Sequence, residues 1–353
     1  MAVGALQPHQ IDDMVKATLP DLGRFQWTNI SFSLREHIVM DQLMRKNRVS
    51  FSDGMKLQFN VKVDQGTQAR QTGLYDTDSV QVGNMLKTAE VPWTFAETHF
   101  AYEVREPAFN GGKSKILDLL KLRRSEAMQS AVELMEQKFW AIPSASATKD
   151  PYGIFYWLQG NDTEGFNGGA ASGFTDVAGL SPTTYPNWKN WTGQYAAGGA
   201  GDASTDLIPM ARKASHYCMF KPPVSNPDYE KGVNWQHLVP YSVLQALEKY
   251  LKDNNENIGF ELAKYADQVV FKRVPVEHAA MLDSATFDAS DTYKRPWLGV
   301  NWGVMGLAFL QGQYMRTSDP IQGSSHTTRA VFTDWTYQYQ CRDRRRNFML
   351  HSA

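Results

Sequence analysis

From Lys113 to Ile142 the chain runs without a proline or glycine until Pro143, and its apolar residues recur at helical steps. Leu117, Leu120, Ala127, Ala131 and Leu134 fall three or four residues apart, or at sums of those steps, with charges between them. About 28 helical residues at 1.5 Å each make a rod of roughly 40 Å, far longer than an ordinary globular helix. Whatever fold forms must be laid out along that rod.

Ahead of the rod the period is two. In "MKLQFNVKVD", Leu57, Phe59, Val61 and Val63 alternate with Lys56, Gln58, Asn60 and Lys62, which predicts a half-exposed strand. In "VPWTFAETHFAYEVRE", Ala96, Thr98, Phe100, Tyr102 and Val104 share one face. Paired with each other, the two runs would make a long ribbon. Two strands alone have no sheet to pack against, so such a ribbon needs a partner, and self-association is the first explanation. Residues 1–49 read as a polar arm with a short helix. Residues 150–205 are Gly-, Ala- and aromatic-rich without periodicity, an excursion ordered by its rings. Helices are expected near Ile208–His216 and Val239–Lys252, and strands in "QVVFKRVPV" and "RPWLGVNWGVMGLAFL". No repeat of roughly 20 to 50 residues is visible.

The end of the chain combines two patterns. In "FTDWTYQYQCRDRRRNF", Val331, Thr333, Trp335, Tyr337, Tyr339 and Cys341 share one face up to a basic cluster, Arg342, Arg344, Arg345 and Arg346, with Phe348, Met349 and Leu350 beyond it. A disordered nucleic-acid-binding tail would not be flanked by strand-like residues on both sides. The arginines are therefore expected on an ordered strand or turn, most of them paired with carboxylates, where a guanidinium fork fits well.

Composition excludes several classes. Hydrophobic residues make up 42% and charged residues 21% of the 353, as in a folded globular chain. Lys and Arg total 36 against 37 Asp and Glu, so no global field draws the molecule to nucleic acid or an acidic membrane. Cys218 and Cys341 are too few for a disulfide framework and are expected as buried or semi-buried free thiols. The opening residues lack a signal-peptide pattern and no stretch approaches about 18 apolar residues, so a soluble protein of a reducing cytoplasm is expected. The sequons at Asn29, Asn161 and Asn190 then carry no meaning.

No chemistry-bearing motif survives inspection. "NGGKSK" mimics the end of a phosphate-binding loop, but Pro107 stands where that loop needs its first glycine. The segment reads better as a turn, with Ser114 near a helix start. The histidines lie on separate elements with no HExxH, and no G-x-S-x-G elbow occurs. The rings from Tyr152 to Tyr195 suit a carbohydrate platform, or, as large rigid anchors, a core or subunit contact. No catalytic, cofactor or metal site is assigned.

The order of arm, ribbon, rod, irregular middle and returning strands resembles the major capsid protein of tailed bacteriophages, an α+β chain of the Hong Kong 97-like fold. Particular stretches are similar to one branch of these: "TGLYDTDSVQVGN", "GFNGGAASGFTDVAGLSP", "YPNWKNWTGQY", "GVNWGVMGLAFLQGQYMRTSDP" and "DWTYQYQCRDRRRNF". The likeness runs from about residue 20 to the end. It implies a non-enzymatic subunit that self-assembles into hexamers and pentamers of an icosahedral head around double-stranded DNA, in the virion, after assembly in the host bacterial cytoplasm. It implies an arm (1–49), an E-loop (50–106) lying over a neighbouring subunit through Leu57, Phe59, Val61, Arg70 and Tyr75, and a P-domain spine helix (107–149). It further implies a mainly A-domain region (150–300) and returning strands of both domains (301–353). The arginines would then meet a neighbouring subunit or, alternatively, packaged DNA. Portal and possibly scaffolding or decoration proteins are implied partners; the short arm suggests a separate scaffold or none. No lysine–asparagine pair for a covalent weld is identifiable. A nanocompartment shell around an enzyme cargo and, from another class, a carbohydrate-binding β protein are the alternatives.

Overall fold

The computed structural model describes residues 37–44, 48–63, 71, 73–74, 85–105, 113–196, 203–219, 235–253, 269–284, 287, 293–323 and 325–353. In chain order the elements are α1 (Ile38–Leu43), β1 (Val49–Ser52), β2 (Lys56–Lys62), β3 (Leu86–Pro92), β4 (Thr94–Glu103), α2 (Lys113–Trp140) and the single turn α3 (Ile154–Trp157). They continue with β5 (Gly165–Gly168), β6 (Asn190–Tyr195), α4 (Leu207–Cys218), β7 (Trp235–Val239), α5 (Tyr241–Asp253), β8 (Val269–Phe271), β9 (Val274–His278) and β10 (Trp297–Asn301). The last are β11 (Met305–Leu310), the two-residue β12 (Arg316–Thr317) and β13 (Ile321–Gln322), β14 (Thr328–Cys341) and β15 (Phe348–Ser352). The expected arm before residue 37, Arg70, Tyr75, most of "TGLYDTDSVQVGN", the Asn110–Gly112 turn and the Ser114 side chain lie outside the described residues.

The first sheet is built on β14. One of its edges takes β4 antiparallel from Thr328↔Glu103 to Tyr337↔Thr94; the other takes β13, β12 and β11 in turn, with β1 parallel to β11 beyond. The face bearing Val331, Thr333, Trp335, Tyr337, Tyr339 and Cys341 is buried, as the alternation predicts. The rod α2 lies on this sheet. Ala127, Ala131, Met135 and Phe139, each four apart, form its buried stripe. The Tyr339 hydroxyl donates to the Met135 carbonyl at 2.7 Å and Thr98 Oγ1 to that of Ala127 at 3.1 Å.

The expected ribbon is corrected. β2 pairs with β3, from Lys56↔Pro92 to Lys62↔Leu86, whereas the run Ala96–Val104 goes to β14. In "LKTAEVP" only Ala89 and Val91 are buried, a weak alternation beside the aromatic β4, and β4 needs both β14 and α2 to cover it. The β2–β3 pair also finds its partner within the chain. Leu57, Val61, Ala89 and Val91 join the main core, the Phe59 ring lies 6.4 Å from that of Trp157, and the Glu90 amide donates to the Ala178 carbonyl at 2.9 Å. Self-association is thus not required to cover these two strands.

The second sheet has the order β5-β6-β15-β10-β7-β9-β8. β7, β10 and β15 are buried along their whole length, the polar Gln236, His237, Asn301, His351 and Ser352 included. Successive residues serve different cores. Trp235, Val239, Trp297, Phe348 and Leu350 pack beneath α4 and α5, while Leu238, Leu298, Val300 and Met349 point into the core shared with α2 and the first sheet. Besides the long path from β4 through α2 to β5, the chain makes two short crossings between the sheets, at 302–304 and 342–347. Arg342 N donates to Val304 O at 2.9 Å and Asn301 N to Asn347 Oδ1 at 2.7 Å, so the crossings run side by side.

The irregular middle is ordered by its aromatics, as expected. All four residues of α3 are buried, Tyr152 and Tyr156 stack at 3.9 Å, and Trp188 Nε1 donates to the Val177 carbonyl at 3.1 Å. Both cysteines are buried free thiols.

Candidate assembly surfaces and the arginine joint

The basic cluster sits in the second short crossing, on a 3-10 turn from Arg344 to Arg346. Arg344 has no solvent exposure. Its Nε donates to Trp157 O (2.6 Å), Nη1 to Trp188 O (2.7 Å), and Nη2 to Gly169 O (2.7 Å), Gly168 O (3.3 Å) and Asn190 Oδ1 (3.2 Å). The expected carboxylate partner is replaced by a ring of carbonyls from the irregular middle. Burial pulls its pKa down to about 10, so it remains cationic at neutral pH. The site admits little change: a Cβ on Gly168 would lie 1.9 Å from Asn190 Oδ1. Asn190 also accepts from the Gln159 amide and donates to its carbonyl, tying the same loops together.

Its neighbours behave differently. Asp343 caps the turn by accepting from Arg345 N at 3.1 Å, with Arg345 Nε at 3.6 Å and Arg346 Nε at 3.8 Å. Burial raises its pKa, against the opposing pull of Arg345 and Arg346. Arg346 is buried, Arg345 half-buried and Arg342 exposed. As a single subunit- or DNA-facing surface the cluster is therefore corrected: Arg344 and Arg346 belong to the subunit interior, and Arg342 is its exposed member. Sequence identified the ordered turn but missed Asn190, Gly168 and the carbonyls, since backbone acceptors leave no residue-type signal.

Of the contact residues expected in 50–106, Leu57 and Val61 are buried against their own subunit and Phe59 is packed on it. The exposed apolar residues of 50–106 are others, Leu74 and Leu86 among them. Met55 is 97% exposed at the β1–β2 turn, Phe95 is 78% exposed on β4, and Phe51 on β1 meets the Tyr314 ring at 5.7 Å while still facing solvent. β4 turns Phe95, Glu97, His99 and Ala101 away from the face that carries Thr98 to α2. Among the described residues it pairs with β14 alone, on one edge. The opposite side of β2–β3 is polar, with Lys56 and Gln58 both on Glu90 at 2.9 Å. Lys56 holds the Glu90 carboxyl below its usual range.

Among the described residues no three His, Cys, Asp or Glu side chains are grouped to hold a metal, and no helix is long and apolar enough to cross a membrane. The carbohydrate reading loses its platform, because Trp188 and Trp191 are only 2% and 5% exposed.

No family model and no curated protein sequence matches the chain. Solved structures do. The chain in the cyanophage A-1(L) capsid asymmetric unit matches at 14% identity over 95% of this chain and 98% of its own, with a TM-score of 0.57. That in the capsid of an empty GTA particle matches at 13% over 100% of both, with a TM-score of 0.56. The bacteriophage PhiM1 mature capsid follows at 10%, 93% and 91%, with 0.52. The chain therefore has the α+β, Hong Kong 97-like fold of phage capsid subunits, end to end.

Proposed function

We propose that this chain is the major capsid protein of a tailed-phage-type particle, a non-catalytic subunit that self-assembles into hexamers and pentamers of an icosahedral head enclosing double-stranded DNA. The observation that carries the reading is the two-way coverage of the fold match: 95% of this chain accounts for 98% of the cyanophage A-1(L) capsid chain. In this reading β2–β3 and the segment between them form the E-loop, and α2 with the first sheet forms the P-domain. The second sheet with α4 and α5 forms the A-domain, so the arginine joint links the two domains. The exposed Phe51, Met55 and Phe95 suit contacts repeated over many copies, none of which must be strong alone. Near-equal charge totals suit an inner wall that does not grip DNA. Packaged DNA and portal, scaffolding or decoration proteins are partners of the reading, with the virion as its place and the host cytoplasm as its site of assembly. The neighbours named above are phage and GTA capsids and lend the nanocompartment alternative no support.

Electron microscopy of the purified full chain tests this. Closed particles, or capsomers that close when viral partners are added, are expected. A chain that stays monomeric when concentrated with those partners overturns the reading.

A further inference from the structure

At the edge of the second sheet β8 and β9 are joined by a two-residue turn, Lys272-Arg273, between the paired Phe271 and Val274. Both turn residues have positive φ, 48° and 67°. This is the turn geometry that matches strand twist and that Asn-Gly fills without strain; side chains with a Cβ pay for it. Among the described residues it is the one consecutive pair of non-glycine residues with positive φ.

The turn also concentrates charge. Lys272 Nζ donates to the Arg212 carbonyl of α4 at 2.9 Å, and Arg212, Lys272 and Arg273 are all exposed. Burial, and then the charge of Arg212, lower the Lys272 pKa. No carboxylate among the described residues pairs with any of the three; nearby Lys213 is already bridged to Glu164. Among the described residues this arrangement is disfavoured twice, by backbone strain and by like-charge repulsion. Strain of this kind persists where a site needs its geometry.

We propose that the Lys272-Arg273 tip, with Arg212, is a docking site for carboxylates of a second copy of this chain; the inference rests on the shell reading above. Every copy carries exposed carboxylates, Asp53, Glu97 and Asp334 among them, so a second copy can supply the complementary charge. Nucleic acid fits less well, because non-specific phosphate binding needs charge density and not two residues fixed in a strained turn. A directed turn suits a partner presented at one place and angle.

Two variants test this. Arg273→Asn removes one charge in a residue that tolerates positive φ, and Lys272→Asn/Arg273→Gly installs the relaxed turn. Melting of the unassembled subunits is measured alongside particle formation by sedimentation and microscopy over a salt series, and the DNA content of particles formed in cells. The relaxed turn is expected to melt higher than wild type. Both variants nevertheless need about tenfold more protein to assemble, equivalent to about 1.4 kcal/mol per subunit, and their assembly threshold responds less to salt. Variant particles at wild-type concentration overturn the proposal; if those particles carry less DNA, the tip is a nucleic-acid contact instead. A wild-type chain that never assembles sinks the shell reading itself, and the tip proposal with it.

Discussion

Arg344 shows why a basic run need not mean a basic surface. Its guanidinium has five N–H donors, and the chain surrounds it with four backbone carbonyls and Asn190 Oδ1. Arg344→Ala would leave those acceptors dry and open a cavity, so a loss of about 2–5 kcal/mol is expected, from buried acceptors left unsatisfied and from truncation of a large buried side chain. Arg344→Lys should recover only part of it, having three donors and no fork. Chemical denaturation of the unassembled subunit measures both; a loss below about 1 kcal/mol for the alanine variant would show that the network contributes little. His237 supplies a second test. It is buried in β7, accepts from Trp297 Nε1 at 3.2 Å through Nδ1, and its Nε2 has no partner among the described residues. Burial, with a smaller push from Lys272, lowers its pKa from 6.5 to about 3. Between those values the unfolded chain binds the proton and the native one does not. Stability therefore falls as pH drops below about 6.5, by up to about 1.4 kcal/mol per pH unit. Glu136, whose pKa burial raises, acts in the opposite sense, so the comparison must be against His237→Asn, whose oxygen can accept from Trp297. The asparagine variant should lose less stability than wild type between pH 6 and about 4; parallel profiles would show that another group titrates.

At the scale of elements, the strong periods were legible and the pairings were not. The sequence expectation for the rod ended at Ile142 and α2 ends at Trp140; that for the closing strand gave the buried face of β14 residue by residue. Alternation states which side of a strand is apolar but is silent about which strand lies beside it. β4 was assigned to β2 for that reason, and the weakly alternating β3 was overlooked. The same limit hid the joint, where Asn190 and Arg344 are 154 residues apart in sequence. The rod's seat on the sheet depends on small residues at Ala127 and Ala131, which let α2 come close enough for Thr98 to bond the Ala127 carbonyl. Ala131→Leu inserts a branched side chain into a filled contact, and a loss of about 1–3 kcal/mol is expected. Circular dichroism should show helix content near wild type before melting, at a lower midpoint; an unchanged midpoint would mean that α2 can shift away from the sheet at no cost.

For the whole molecule, stability and assembly separate cleanly at residues that touch little within their own subunit. Phe95 is such a residue: 78% exposed, on a ten-residue strand that among the described residues pairs on one edge. In water it costs the folded subunit little, because an exposed ring is exposed in the unfolded chain as well. Covered by another subunit, the same ring would contribute about 1.5–3 kcal/mol. Phe95→Ser should therefore leave the melting of the unassembled subunit within about 0.5 kcal/mol of wild type. In the proposed shell assembly responds differently, since each subunit would repeat the contact and every ~1.4 kcal/mol lost per subunit would raise the protein concentration required by about tenfold. Light scattering across a concentration series reads that threshold directly. A shift of tenfold or more with unchanged melting places Phe95 in a subunit contact; an unchanged threshold places the contacts elsewhere, with Met55 and Phe51 the next exposed residues to replace. The pairing of the two measurements matters, because a threshold that moves together with the melting point reports a damaged subunit and not a lost contact.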